Sequence, residues 1–124
     1  LVGAPKHPGG NGPGAAYLVR GPLSGDLDLA AADVRLLGEE GGDKAGCAVA
    51  GAGDVNGDGL ADLLVGAEFA VDGGMAYLVL SPIAGEFDLG QASARLRAEA
   101  ASDHLGDAVA GAGDVNGDGY DDWL

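Results

Sequence analysis

The chain has 124 residues, 20 of them Asp or Glu against 6 Lys or Arg, for a formal net charge of −14. With no Lys/Arg cluster to release counterions, such a polyanion is repelled by nucleic-acid phosphates and anionic membrane surfaces, and no apolar run approaches the roughly twenty residues that span a bilayer. A hydrophobic content of 47% excludes disorder by composition, while 25 glycines and 5% aromatics leave the packing to small side chains.

In chain order, Leu1-Val2-Gly3-Ala4 reads as a strand motif and Pro8-Gly9-Gly10-Asn11-Gly12-Pro13-Gly14 as a lengthened loop before Tyr17-Leu18-Val19. The segment Leu1 to His7 lacks the order of a signal peptide. Leu27, Ala30, Ala31 and Val34 fit a helical spacing, but their counterparts Phe87, Gly90, Gln91 and Ala94 do not, so this stretch is predicted as loop leading into strand. Further strands are predicted at Ala48–Gly53, Asp62–Ala67, Ala76–Leu80 and Ala94–Arg97, the last alternating apolar Ala94 and Leu96 with Arg95 and Arg97. Cys47 has no second cysteine with which to form an intrachain disulfide.

The same elements come twice. Ala48 through Gly59 recurs unchanged as Ala108 through Gly119, and Tyr17-Leu18-Val19, Asp28-Leu29 and Arg35-Leu36 recur as Tyr77-Leu78-Val79, Asp88-Leu89 and Arg95-Leu96 at the same offset of sixty. The chain divides into repeats 1–63 and 64–124 in the same phase. About four short strands per repeat predict an all-β array, and a small-residue first strand suits a propeller blade crowded near its ring axis. Leu1 and Leu124 both align with Leu64, which predicts a fragment of about two blades from a longer array.

Each repeat carries an acidic loop. In Asp54-Val55-Asn56-Gly57-Asp58-Gly59-Leu60-Ala61-Asp62, oxygen-bearing side chains occupy positions 1, 3, 5 and 9, with Gly at 6 for a sharp turn. The second loop repeats the pattern with Asp114, Asn116, Asp118 and Asp122. Position 7, Leu60 or Tyr120, would add its backbone carbonyl. Three converging carboxylates repel unless a cation or protons neutralise them, and hard oxygen ligands in a flexible loop favour Ca²⁺, one ion per loop. An EF-hand is excluded because position 12 is Val65 and Gly51-Ala52-Gly53 is no helix. Two copies in one register favour a ligand cage over an Asx turn that binds nothing.

Ala45-Gly46 or Leu105-Gly106, then Gly-Asp-x-Asn-Gly-Asp-Gly-x-x-Asp, then Val-Gly-Ala, resembles the FG-GAP repeats of the integrin alpha-chain N-terminal β-propeller and related bacterial extracellular proteins. The family's Phe-Gly stands here as Ala45-Gly46 and Leu105-Gly106, and its Gly-Ala-Pro as Gly3-Ala4-Pro5 but Gly66-Ala67-Glu68. The resemblance implies a β-propeller built from four-stranded antiparallel FG-GAP-type repeats. It also implies Asp54, Asn56, Asp58, Leu60 and Asp62, with Asp114, Asn116, Asp118, Tyr120 and Asp122, as calcium ligands.

No catalytic constellation stands beside the loops: there is no Gly-x-Ser-x-Gly, no His-Glu-x-x-His and no phosphate-binding Gly-rich segment. His7 and His104 are expected as solvated side chains, and Arg35 and Arg95 as recurring structural pairs. The expected function is a non-enzymatic, calcium-binding propeller serving as an extracellular or cell-surface interaction or adhesion scaffold, with a protein or glycan ligand and further blades in the parent chain. The alternatives are an accessory propeller of a secreted hydrolase or lyase, or a carbohydrate-binding propeller.

Overall fold

The computed structural model describes all 124 residues, Leu1–Leu124. Ten strands follow one another: β1 (Val2–Ala4), β2 (Ala15–Leu18), β3 (Val34–Leu37), β4 (Val49–Gly53), β5 (Asp62–Ala67), β6 (Met75–Val79), β7 (Gly85–Asp88), β8 (Ala94–Arg97), β9 (Gly111–Gly113) and β10 (Asp122–Trp123). Single 3-10 turns at Leu29–Ala31 and Leu89–Gln91 precede β3 and β8. In each, an aspartate (Asp28 or Asp88) caps the turn by accepting from the amide two residues on.

The strands form three sheets, ordered β1-β2-β3-β7, β4-β5-β6-β8 and β10-β9. The middle sheet is covered on both faces. Leu63, Val65 and Ala67 of β5 pack with Tyr77 and Val79 of β6 against Val34 and Leu36 of the first sheet. Leu64 and Leu78 turn the other way to meet Ala52, with Val109 and, from β10, Trp123 packed behind them. All six residues of β5 are buried, which accounts for its unbroken apolar run. Each Leu or Val so enclosed contributes about 1.5–3 kcal/mol through lost hydration.

Tyr77, fully buried, donates its hydroxyl hydrogen bond to Glu39 Oε1 at 2.9 Å. Burial first, and then the neighbouring Glu39 carboxylate, hold its phenol above the ordinary range. Tyr77→Phe should destabilise the fold by about 1 kcal/mol, because Glu39 regains water once the hydroxyl is gone. Urea unfolding of the two proteins measures the difference.

Small residues let backbones approach where the sheets meet. The Gly46 amide donates to the Gly66 carbonyl at 2.8 Å, and the Gly66 amide to the Ala48 carbonyl at 2.8 Å. A Cβ on Gly3 would overlap the Gly46 carbonyl oxygen, and one on Gly66 would overlap that of Gly106. Gly3, Gly46, Gly66 and Gly106 therefore form a row that runs from β1 through β5 to the segment before β9. Gly46 and Gly106 also have φ of +84° and +90°, a region that a side chain at either site would strain.

The expected propeller fragment is overturned. The three sheets are small and open, none closed or curled as a propeller blade is, and the first is mixed, since β7 lies parallel to β3. The glycine and alanine content that predicted crowding around a ring axis instead serves these close backbone contacts between neighbouring segments.

Candidate functional site: two acidic turns

The first acidic loop joins β4 to β5, and the second joins β9 to β10. Within the first, Asp54 Oδ1 accepts from the amides of Gly57 (2.7 Å) and Asp58 (3.1 Å), and Oδ2 from Gly59 (2.8 Å). Asn56 Oδ1 accepts from the Asp58 amide at 2.9 Å, while Asn56 Nδ2 donates to Asp58 Oδ2 at 2.9 Å. Asp58 Oδ1 takes the Leu60 amide at 2.8 Å. The Leu60 side chain is exposed. Asp62 is fully buried and ties the loop to its surroundings: Oδ2 accepts from Val55 N at 3.1 Å and Oδ1 from Ser81 N at 2.8 Å.

The second loop repeats this network. Asp114 accepts from Gly117, Asp118 and Gly119. Asn116 and Asp118 exchange bonds, Asp118 takes the Tyr120 amide, and Asp122 takes the Val115 amide. The geometry is that of nested Asx turns, in which short polar side chains satisfy backbone amides that a tight turn leaves unpaired.

These bonds hold the carboxyls of Asp54 and Asp114 below the ordinary range, the Gly59 and Gly119 amides being the leading causes. A depressed folded value means that this stabilisation is complete above the unfolded pKa of about 3.9 and is lost as pH falls through the folded one. Melting temperature should therefore fall as the pH drops below about 4, and less steeply in Asp54→Asn/Asp114→Asn. Differential scanning calorimetry across that range checks the slope.

The two loops also touch. Asp121 Oδ2 accepts from Asp54 N at 2.8 Å, and Asp121 N donates to the Asp54 carbonyl at 3.0 Å. The Tyr120 ring lies against Gly57, where a Cβ would sit 2.7 Å from Tyr120 Cε1. Asp121 has no assigned role in the sequence pattern. Its one signal is that it replaces Ala61 of the other loop.

A second recurrent turn also escapes motif reading. Asp43 Oδ2 accepts from Glu40 N at 2.9 Å and Asp103 Oδ2 from Ala100 N at 2.8 Å. Just after it, Lys44 and His104 occupy equivalent positions with left-handed φ of 58° and 53°. Both close on the segment between β5 and β6: Lys44 Nζ pairs with Glu68 at 3.2 Å and lies 3.7 Å from the Phe69 ring centroid, while His104 meets Phe69 edge-on. Cys47 donates its thiol to the Gly106 carbonyl at 3.3 Å, and partial burial pushes the thiol up. His7 packs edge-on against Tyr17.

The calcium-clamped propeller scaffold, with its metal-binding and integrin-like character, is corrected by this arrangement. No group of three or more His, Cys, Asp or Glu side chains comes together in a way that could hold a metal ion. The oxygens that were to form a cage are aimed at their own loop's amides, and Asn56 turns its nitrogen toward Asp58. The larger surface cleft, about 320 Å³, is lined by Leu18, Arg20, Leu60, Ala61, Leu63, Ser81, Pro82 and Ile83. It offers one cation and one hydroxyl.

Each of the two similar repeats carries an acidic turn whose side chains bond its own amides. Residues 48–79, spanning β4, the first acidic turn, β5 and β6, match the FG-GAP repeat. An FG-GAP repeat is therefore present in this part of the chain, and it is a structural motif that carries no catalytic groups. No curated protein matches the chain.

Proposed function

We propose that the chain is a non-catalytic interaction module that holds two unlike loops on equivalent anchors and presents them to a macromolecular partner outside the cytoplasm. The observation that carries this reading is the anchoring. Gly14 and Gly74 make equivalent parallel bridges, to Ala45 and Leu105 respectively. Ala45 N donates to the Pro13 carbonyl and Leu105 N to the Gly73 carbonyl, both at 2.9 Å. Between strand and anchor the loops diverge. The first runs Pro5 to Pro13 with exposed Lys6 and Asn11; the second carries Phe69 and Val71, each about half exposed. Variable loops on a fixed scaffold are where binding specificity concentrates.

The likeness to FG-GAP proteins of the bacterial exterior supports the location, and a protein partner suits the exposed apolar pair better than a glycan does. Photo-crosslinking residues placed singly at Asn11, Val71 and Asp58 test the proposal in secreted and surface fractions. Trapping of one partner from Asn11 or Val71, and not from Asp58, is expected. Trapping from Asp58 alone, or from none of the three, would overturn it.

A further inference from the structure

All three asparagines of the chain are followed by glycine, as Asn11-Gly12, Asn56-Gly57 and Asn116-Gly117. Such a pair is able to react with itself. The glycine amide nitrogen attacks the carbonyl carbon of the asparagine side chain, and glycine, with no Cβ, neither blocks that approach nor resists the backbone rotation it needs. Whether the reaction runs in the folded chain therefore depends on how firmly the amide nitrogen and the side chain are held.

In the two acidic turns both reacting groups are engaged. Gly57 N donates to Asp54 Oδ1 and Gly117 N to Asp114 Oδ1, each at 2.7 Å. The Asn56 side chain is fixed at both ends, Oδ1 by Asp58 N and Nδ2 by Asp58 Oδ2, each at 2.9 Å. Asp118 holds Asn116 in the same way, at 2.8 and 3.0 Å. Asn11 has none of this. It is exposed, and neither its side chain nor the Gly12 amide makes a hydrogen bond within the chain. Gly12 is fixed instead through its carbonyl, which accepts from Gly42 N at 3.1 Å.

We propose that Asn11 is a site of spontaneous deamidation, and that the acidic turns shield the other two asparagines from the same reaction. Gly12 N bonds to Asn11 Cγ, the Cγ–Nδ2 bond breaks, and Nδ2 leaves as ammonia with the proton that Gly12 N gives up. Water then opens the cyclic imide. Cleavage at Cγ leaves aspartate, whereas cleavage at the main-chain carbonyl leaves isoaspartate, whose backbone is longer by a carbon atom. Either product makes the chain more negative than −14 by a single charge. The longer backbone finds no room at Gly12, where a Cβ would stand 2.5 Å from the His7 carbonyl oxygen, so the extra carbon displaces the Asn11 end of the loop. Asn11 lies in a loop assigned above to partner contact, but the reaction needs no partner and does not rest on that reading.

Peptide mapping by mass spectrometry, after incubation of the whole chain in mildly alkaline buffer, reads each asparagine separately, and matched samples in concentrated urea supply the unfolded rates. In urea all three should convert at similar rates. In the folded chain Asn11 should convert at close to its urea rate. Asn56 and Asn116 should be at least about tenfold slower, because a charge-assisted bond has to break before either reacts. Asp54→Ala removes the acceptor of Gly57 N and should speed Asn56 at least about tenfold, with an unchanged Asn116 marking an intact fold. Asn11 left intact in the folded chain, Asn56 and Asn116 converting as fast as Asn11, or an Asn56 indifferent to Asp54→Ala would each overturn the proposal.

Discussion

Gly66→Ala is expected to cost about 3 kcal/mol or more, at the top of the range for inserting a methyl group into filled space. The added Cβ would collide with the Gly106 carbonyl oxygen and stand 2.8 Å from its carbonyl carbon. Neither atom belongs to a side chain that can rotate away. Gly66 is also hydrogen-bonded at both backbone groups, its carbonyl to Gly46 N and its amide to Ala48 O. Retreat from the Gly106 oxygen therefore strains two further bonds. For a chain of this length the loss corresponds to a fall of roughly 10–15 °C in melting temperature. Gly51→Ala is the matched control: it is also in a strand, but a Cβ there meets nothing within 4 Å. It should shift the midpoint by no more than a degree or two.

Asp62→Ala should be comparably damaging for a different reason. The substitution removes a buried carboxylate that accepts from Val55 N and Ser81 N. It leaves two amides, each part of a partly enclosed turn, with no acceptor. Each unsatisfied donor costs about 1–3 kcal/mol, so about 3–4 kcal/mol is expected in total. Asp62→Asn separates charge from shape: its oxygen serves one amide while its NH₂ faces the other, and about half the loss should remain. Denaturant unfolding gives the energies. Faster hydrogen exchange at Val55 and Ser81 in Asp62→Ala would place the damage at those amides.

Much of the strand framework was legible in the sequence. The limits predicted for Asp62–Ala67 and Ala94–Arg97 coincide with β5 and β8, because an apolar run bounded by acidic turns and a period-two alternation are local signals. β7 was not legible. Gly85-Glu86-Phe87-Asp88 has no alternating apolar face of its own and becomes a strand only by lying beside β3, about fifty residues away in sequence. The same dependence on distant context defeats an assignment for Gly25–Asp28, whose sequence is nearly the same and whose neighbours differ.

The acidic loops divide in a similar way. Spacing identified the residues that turn inward, but not what they turn toward. Asp, Asn and Gly at these intervals serve an ion cage and a nest of Asx turns equally well, since both require short oxygen-bearing side chains around a sharp bend. Backbone amides, invisible to a motif, take the oxygens of Asp54 and Asp114. The propeller expectation failed for a related reason. Small residues record that something approaches closely, and the row Gly3, Gly46, Gly66 and Gly106 shows the approach to be backbone against backbone between sheets.

That row carries the central claim, that both repeats form one cooperative body on which the loops are held. Native-state hydrogen exchange at the Gly46 amide, bonded to the Gly66 carbonyl at 2.8 Å, tests it most directly. The account predicts that Gly46 opens with the same free energy and denaturant dependence as Leu64 and Val65 of β5, as members of one unfolding unit do. Exchange of Gly46 at the rate of an exposed loop, while β5 remains protected, would contradict it.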